Sequence, residues 1–322
     1  MAAKKLAIVL PAYNEEEVIE KTTARLHGLL LSMIENKKIT SDSFIMYVDD
    51  GSKDRTWELV NQLRAQYGQV QGIRFSTNFG HQNALIAGMT HLTGTDVDYV
   101  VTIDADLQDD PEAIVDMVDL ANAGKDIVYG VRNDRTTDTL FKRHTAQGFY
   151  KVMSALGVNS IPNHADFRLV NQKVLKAFSA YQEREMFLRG IFPLIGFNEG
   201  RVYYARAERE AGETKYPLRK MIQFAATGIT SFSISPITFV RNLGIGIFGI
   251  SILFLIYIFF GWAFGKTSTG WPTLMVSIWM LGGLQLVAIG IIGEYIGKIF
   301  MEVKHRPRYI IAEELNDYDE QA

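Results

Sequence analysis

Short apolar runs alternate with stretches of helical periodicity along the first two-thirds of the chain. KLAIVLPAY (5–13), SFIMYVDD (43–50), GIRFS (72–76), DYVVTIDAD (98–106) and DIVYGVR (126–132) read as strands. Between them, NEEEVIEKTTARLHGLLLSMIE (14–35) has helical spacing, as do Trp57, Leu59, Val60 and Leu63 after Thr56. NALIAGMTHLTG (83–94) and PEAIVDMVDLANAG (111–124) continue the series. Strands that alternate with helices predict an α/β fold with a mostly parallel sheet, and ligands of such sheets bind beyond the carboxyl ends of the strands.

The pattern changes near residue 220. Residues 243–264 run for 22 positions without a charge, and 271–293 for 23. About 20 residues suffice to cross a hydrocarbon core. Trp262, Trp271 and Tyr295 sit near the ends of these runs, where interfacial anchors belong. Arg219, Lys220 and Arg241 precede the first run, and Lys298, Lys304, Arg306 and Arg308 follow the second, whereas the connection holds only Lys266. The positive-inside rule then predicts a multi-pass cell-membrane protein with two spans and both termini cytoplasmic. The N-terminal apolar run, ended by Pro11, is too short for a signal peptide. The expected organisation is a cytosolic domain at 1–219, amphipathic interfacial helices at 220–242, a transmembrane hairpin at 243–297 and a cytosolic tail at 298–322. In that tail, RPRYIIAEEL is a possible strand that pairs with another part of the protein or with a neighbouring subunit, so a homo-oligomer is an open expectation.

Charge and composition narrow the chemistry. A net charge of −3 argues against nucleic-acid binding, and the absence of cysteine excludes disulfides and thiolate metal sites. The glycine-rich phosphate loops GxGxxG and GxxxxGK[ST] are missing, as are HExxH and GxSxG. His81 receives no role. What stands out is VTIDADLQDDPE (101–112), where Asp104, Asp106, Asp109, Asp110 and Glu112 crowd together after a strand. Like charges this close raise one another's pKa unless a cation sits among them. Tyr13, Asn14 and Glu15 follow the first strand, Asp49 and Asp50 the second, Asp104 and Asp106 the fourth and Arg132 the fifth, so all could share one rim. Asp104 and Asp106, two apart, suit a hard oxygen site for Mg²⁺ or Mn²⁺ completed by substrate phosphates.

Eight stretches in order carry a resemblance: PAYNEEE, VDDGSKDRT, NFGHQNALIAG, DADLQDDPE, YGVR, ADFRLV, RAEREAGETKYPLRKM and GIIGEYIGKIFMEVKHRPRYII. Together they resemble the family 2 inverting glycosyltransferases of GT-A (Rossmann-like) fold, in particular the branch that glycosylates polyprenyl phosphate and is related to dolichyl-phosphate mannose synthase. The resemblance implies transfer from a nucleotide sugar to polyprenyl phosphate, with UDP-glucose the first expectation and UDP-N-acetylhexosamine or GDP-mannose as alternatives. It implies nucleotide-sugar contacts from Pro11, Tyr13, Glu15, Val48, Asp50, Asp104, Ala105, Asp106 and Arg132. Metal ligation would fall to Asp104, Asp106 and Gln108, with Arg209 and Lys215 closing over the donor. Arg132 and Arg143 would take the acceptor phosphate. Asp166 is the candidate base, or equally a positioning group, because a phosphate acceptor is already ionised at neutral pH. A processive polysaccharide synthase and an inactive membrane binding protein are the competing readings.

Overall fold

The computed structural model describes residues 3–106, 108–133, 164–184, 186–205, 235–264 and 270–315. In chain order they form β1 (Leu6–Ala12), α1 (Ile19–Glu35), β2 (Phe44–Asp49), α2 (Thr56–Tyr67), β3 (Val70–Phe75), α3 (His81–His91), β4 (Tyr99–Thr102), α4 (Ala113–Asn122) and β5 (Ile127–Arg132). Then come β6 (His164–Asn171), α5 (Gln172–Ser179), α6 (Leu188–Ile195), β7 (Glu199–Tyr204), α7 (Ser235–Ala263), α8 (Trp271–Val303) and β8 (Ile311–Leu315). Two compact units result: one holds the sheet with its helices and takes in the chain again from Pro307, and the other holds α7 and α8.

The eight strands lie in the order β7-β5-β6-β4-β1-β2-β3-β8. β1 is buried at every position and pairs in parallel with both β2 and β4, which explains its unbroken apolar run. The five strands expected from the sequence are all present. The sheet is more mixed than expected, however: β6 runs antiparallel between β4 and β5, and β8 antiparallel along β3. β6 escaped notice because its residues alternate charged and apolar, His164, Asp166 and Arg168 against Phe167 and Leu169, instead of forming an apolar run.

The tail strand pairs within its own chain. Glu313 on β8 accepts from the Trp57 indole at 2.9 Å and from Arg74 at 2.9 Å, while Tyr309 stacks on Phe75 with centroids 5.0 Å apart. In the other unit, α7 begins at Ser235 and so takes in residues expected among the interfacial helices, and α8 runs past the expected boundary at 297. Counted over the described residues alone, no helix is long and apolar enough to cross a membrane. Many large apolar side chains along both helices are nonetheless exposed, among them Leu253, Tyr257, Met280, Leu286 and Ile289.

At Gly88, α3 approaches β1 and β2 closely. A Cβ on Gly88 would lie 2.4 Å from Val9 Cγ1 and 3.1 Å from Val48 Cγ2. Gly88→Ala is therefore expected to destabilise the protein by about 1–3 kcal/mol through overpacking, and Val9→Ala in the same chain to recover part of that loss. Denaturant unfolding of the two variants checks this; additive losses would show that the two positions do not share a packing constraint.

Candidate active site

The loops at the carboxyl ends of β1 and β2 are stitched together by side chains. The Asn14 amide donates to Ser52 Oγ at 2.9 Å, the Glu15 amide to Thr56 Oγ1 at 2.8 Å, and the Lys53 amide to Asn14 Oδ1 at 2.9 Å. Gly51 makes the close turn between these partners: its φ is +68°, and a Cβ there would lie 2.5 Å from the Thr77 carbonyl carbon. Tyr13 projects from this rim with 40% of its surface exposed. Pro11 and Val48 are register partners inside the sheet. Val48 is buried and faces Gly88 on α3.

Asp50 stands at the end of β2 but uses both carboxylate oxygens within the protein. They accept from the Phe79 and Gly80 amides at 2.6 and 2.8 Å. Burial raises its pKa, against the pull of those two amides. Its visible work is to hold the turn that starts α3, whose first residue is His81. Gln82, next along, accepts from the Leu188 amide at 3.2 Å and so joins α3 to the start of α6.

The acidic stretch after β4 separates into different roles. Asp109 is buried and receives Arg132 through Nε at 2.8 Å and Nη2 at 3.1 Å, together with the Tyr204 hydroxyl at 2.7 Å. Burial, then the charge of Asp109, raises the Tyr204 pKa. Asp110 pairs with Arg25 at 3.2 Å. Asp106 accepts from the buried Gln108 amide at 3.2 Å. Ala105 is buried, and its carbonyl accepts from Thr22 on α1 at 2.7 Å.

Asp104 differs from all of these. Its Oδ1 is closed off from solvent and accepts no hydrogen bond, while the side chain as a whole keeps 36% of its surface open. Burial pushes its pKa up to about 6, against the opposing charge of His81, whose Nε2 lies 3.5 Å from Oδ1. A shut-in carboxylate oxygen that accepts no hydrogen bond is what a cation would satisfy, so the donor set of Asp104 with neighbouring Asp106 and Gln108 fits a hard divalent ion. Among the described residues, no three His, Cys, Asp or Glu side chains gather as a complete metal cage.

Asp166, on β6, is clamped by two guanidiniums. Arg168 Nη2 donates to Oδ1 at 2.6 Å, and Arg189 Nη2, from the first turn of α6, donates to Oδ2 at 3.0 Å. Burial alone would raise the Asp166 pKa; the charges of Arg189 and Arg168 overturn that and hold the carboxyl well below its usual range. His81 Nε2 lies 4.0 Å from Oδ2. The structure thus gathers Asp104, Asp166, His81 and Arg189. From the sequence, His81 receives no role and Arg189 carries no mark. The motif NFGHQNALIAG held a signal for the first, while nothing local marks the second. Arg143, Arg209 and Lys215 lie outside the described residues.

Residues 7–179 match Glycosyl transferase family 2. The uncharacterized glycosyltransferase YkoT of Bacillus subtilis (strain 168) is 51% identical, covering 98% of this chain and 93% of its own. The bactoprenol glucosyl transferase of Shigella phage SfV is 39% identical over 96% of this chain and 99% of its own. The prophage bactoprenol glucosyl transferase homolog of Escherichia coli (strain K12) is 38% identical over 95% and 98%. The chain belongs to glycosyl transferase family 2 and is a glycosyltransferase, with the mixed α/β, GT-A-like sheet that goes with it.

Two stability effects follow from the two carboxylates. Asp166→Asn removes the counter-charge of a buried arginine and is expected to cost about 3–5 kcal/mol in denaturant unfolding; a loss below about 1 kcal/mol would mean that the clamp is not energetically coupled. Asp104→Asn works in the opposite sense. Because the folded pKa lies above the ordinary carboxylate value of 3.8, ionisation of Asp104 opposes folding above about pH 6. The metal-free variant should exceed the parent at pH 7.5 by about 1–2 kcal/mol, discounted for the open part of the side chain. That advantage should fade as the pH falls through 6 towards 4. A gap independent of pH would show that the gain is not electrostatic.

Proposed function

We propose that this glycosyltransferase moves a sugar from a nucleotide sugar, with UDP-glucose the first expectation, to polyprenyl phosphate at a membrane. The observation that carries the reading is the state of Asp166. A carboxylate held by Arg168 and Arg189 is a poor proton acceptor, so the site suits a nucleophile that needs no base. A phosphate monoester has a second pKa near 6 and is largely dianionic at neutral pH. The near full-length relatives named bactoprenol glucosyl transferase support both the sugar and the lipid.

In this reading the nucleotide lies along the rim of Pro11, Tyr13 and Glu15, with the β2 backbone at Val48 and Asp50 beneath it. Its diphosphate meets Asp104, Ala105 and Asp106. Asp104, Asp106 and Gln108 would hold Mg²⁺ or Mn²⁺, which when bound neutralises charge on the diphosphate. His81 and Arg189 border the carboxylates where the sugar and acceptor must meet. Asp166 positions Arg189 in place of serving as the base. The uncharged runs in α7 and α8, with their exposed apolar side chains, support a two-span anchor with the catalytic unit on the cytoplasmic side. The nucleotide and the sugar are the parts of this reading that the experiment must name.

The test uses the full chain in detergent with Mn²⁺, undecaprenyl phosphate and a panel of radiolabelled nucleotide sugars, following label into the organic phase. Label is expected to move from UDP-glucose. Asp104→Asn and Asp106→Asn should each lower the rate roughly 100-fold or more and weaken Mn²⁺-dependent UDP binding. Transfer from UDP-N-acetylhexosamine or GDP-mannose alone would replace the donor. Transfer from none, with nucleotide binding intact, would overturn the acceptor.

A further inference from the structure

Asp49 closes β2 with none of its side chain exposed. Burial raises its pKa, against hydrogen bonds from Ser52 and the charge of Arg74, whose Nε lies 3.3 Å from Oδ2. The Ser52 amide meets both Asp49 oxygens at 3.3 Å. Ser52 Oγ in turn accepts from the Asn14 amide, and Asn14 Oδ1 accepts from the Lys53 amide, both at 2.9 Å. Asn14 has a φ of +54°, a left-handed conformation that the loop must hold in place. Its neighbours Tyr13 and Glu15 are the residues that the proposed function sets along the nucleotide.

Arg74 has a second anion on its far side. Its Nη1 donates to Glu313 at 2.9 Å, and Glu313 also accepts from the Trp57 indole at 2.9 Å. Glu313 belongs to β8, which the chain reaches only after α7 and α8. The register puts Asp49 opposite Arg74 across β2 and β3, and Arg74 opposite Glu313 across β3 and β8. Residues opposite one another share a sheet face, so anion, cation and anion stand in a row over three strands. One-third of the Arg74 side chain is open. Without Glu313 it can turn to water and leave Asp49 a buried charge without its counter-charge.

We propose that Arg74 and Glu313 are positioning residues for the donor: through this row of charges the tail strand holds the β1 and β2 rim in the shape that binds the nucleotide. The proposal rests on the reading above that places the nucleotide along that rim. Both residues act through Asp49 and Ser52, and neither touches the nucleotide. Glu314, next on the same strand, points to the opposite face and pairs with His91 at 3.0 Å. It is a tail contact of the same chemistry that does not lead to the rim.

The experiment compares the full-length parent in detergent with Glu313→Gln, Arg74→Gln, the double variant and Glu314→Gln, each kept below its unfolding temperature. Nucleotide affinity in Mn²⁺ is measured by calorimetry, with UDP as the probe, or GDP where the parent binds only that. Glu313→Gln should weaken binding about 3- to 10-fold, and Arg74→Gln about 10-fold or more. The double variant should match Arg74→Gln within about twofold, because both substitutions cut one row. Glu314→Gln should stay within about twofold of the parent. A tail that merely stabilises the fold predicts instead that Glu313→Gln and Glu314→Gln behave alike. Parental affinity in Glu313→Gln, an equal loss in Glu314→Gln, or additive losses in the double variant would each overturn the proposal. If Arg74→Gln does not fold, Glu313→Gln against Glu314→Gln decides alone. A parent that binds neither nucleotide would overturn the placement of the nucleotide on the rim, and this proposal with it, without reference to a variant.

Discussion

Arg168 lies 1% exposed on the polar face of β6, and a guanidinium moved from water to such a place costs several kcal/mol unless it is paired and hydrogen-bonded. Its partners tie two elements together. Asp166, two residues along the same strand, supplies the counter-charge at 2.6 Å; the Phe192 ring lies 4.5 Å from the guanidinium carbon; the Leu188 carbonyl faces it at 3.5 Å. Both Leu188 and Phe192 belong to α6, so the charge that β6 must satisfy also fixes where α6 begins. That beginning carries Arg189. Burial lowers the Arg168 pKa, against the opposing pull of the Asp166 carboxylate beside it.

The same bookkeeping of charge explains why the acidic stretch after β4 can exist at all. Asp109 spends its charge on Arg132, Asp110 on Arg25, and both pairs brace the loop from either side. Asp50 works the same way one strand over, with backbone amides in place of a cation. Against that background Asp104 is the exception, a carboxylate whose shut-in oxygen accepts no hydrogen bond, with His81 Nε2 3.5 Å away. The scaffold satisfies its neighbours and leaves this one short, which is how a rigid fold keeps a charge ready for a ligand instead of for itself.

How much of this was legible in the sequence depends on the range of the interaction. The strands β1 to β5 declare themselves through apolar runs, and the rim of Tyr13, Glu15, Asp50, Asp104 and Asp106 follows from counting where those runs end. β6 and β7 alternate polar with apolar positions, because one face of each is not in the main core, and a search for apolar runs passes over them. The partners of the carboxylates were out of reach for a different reason. Arg189 is 23 positions from Asp166, and Arg132 is 23 from Asp109, joined only once the antiparallel β6 has been inserted and α6 folded back. His81 was visible inside a motif, but its significance comes from the turn that Asp50 holds. Charges can be read from a sequence; which of them cancel depends on topology.

The exposed surface of α7 and α8 poses the complementary problem. Tyr257, Met280 and Leu286 each show more than 70% of their surface, and apolar residues continue along both helices in place of a single stripe. A helix apolar on all sides is stable only inside a large core or within a bilayer. Each such side chain left in water forgoes about 25 cal/mol for every Å² of apolar surface. The two helices pack on one another, which covers one face of each and leaves the others. A bilayer would cover them at no cost in unsatisfied backbone, because helical hydrogen bonding is complete within each segment. Under the proposed function, a phosphate carried on a lipid would enter the reaction from that same phase. On the same reading, an enzyme held in the phase that carries its acceptor would gain local concentration, and a site that takes no base from the protein would be left to position the two phosphate groups.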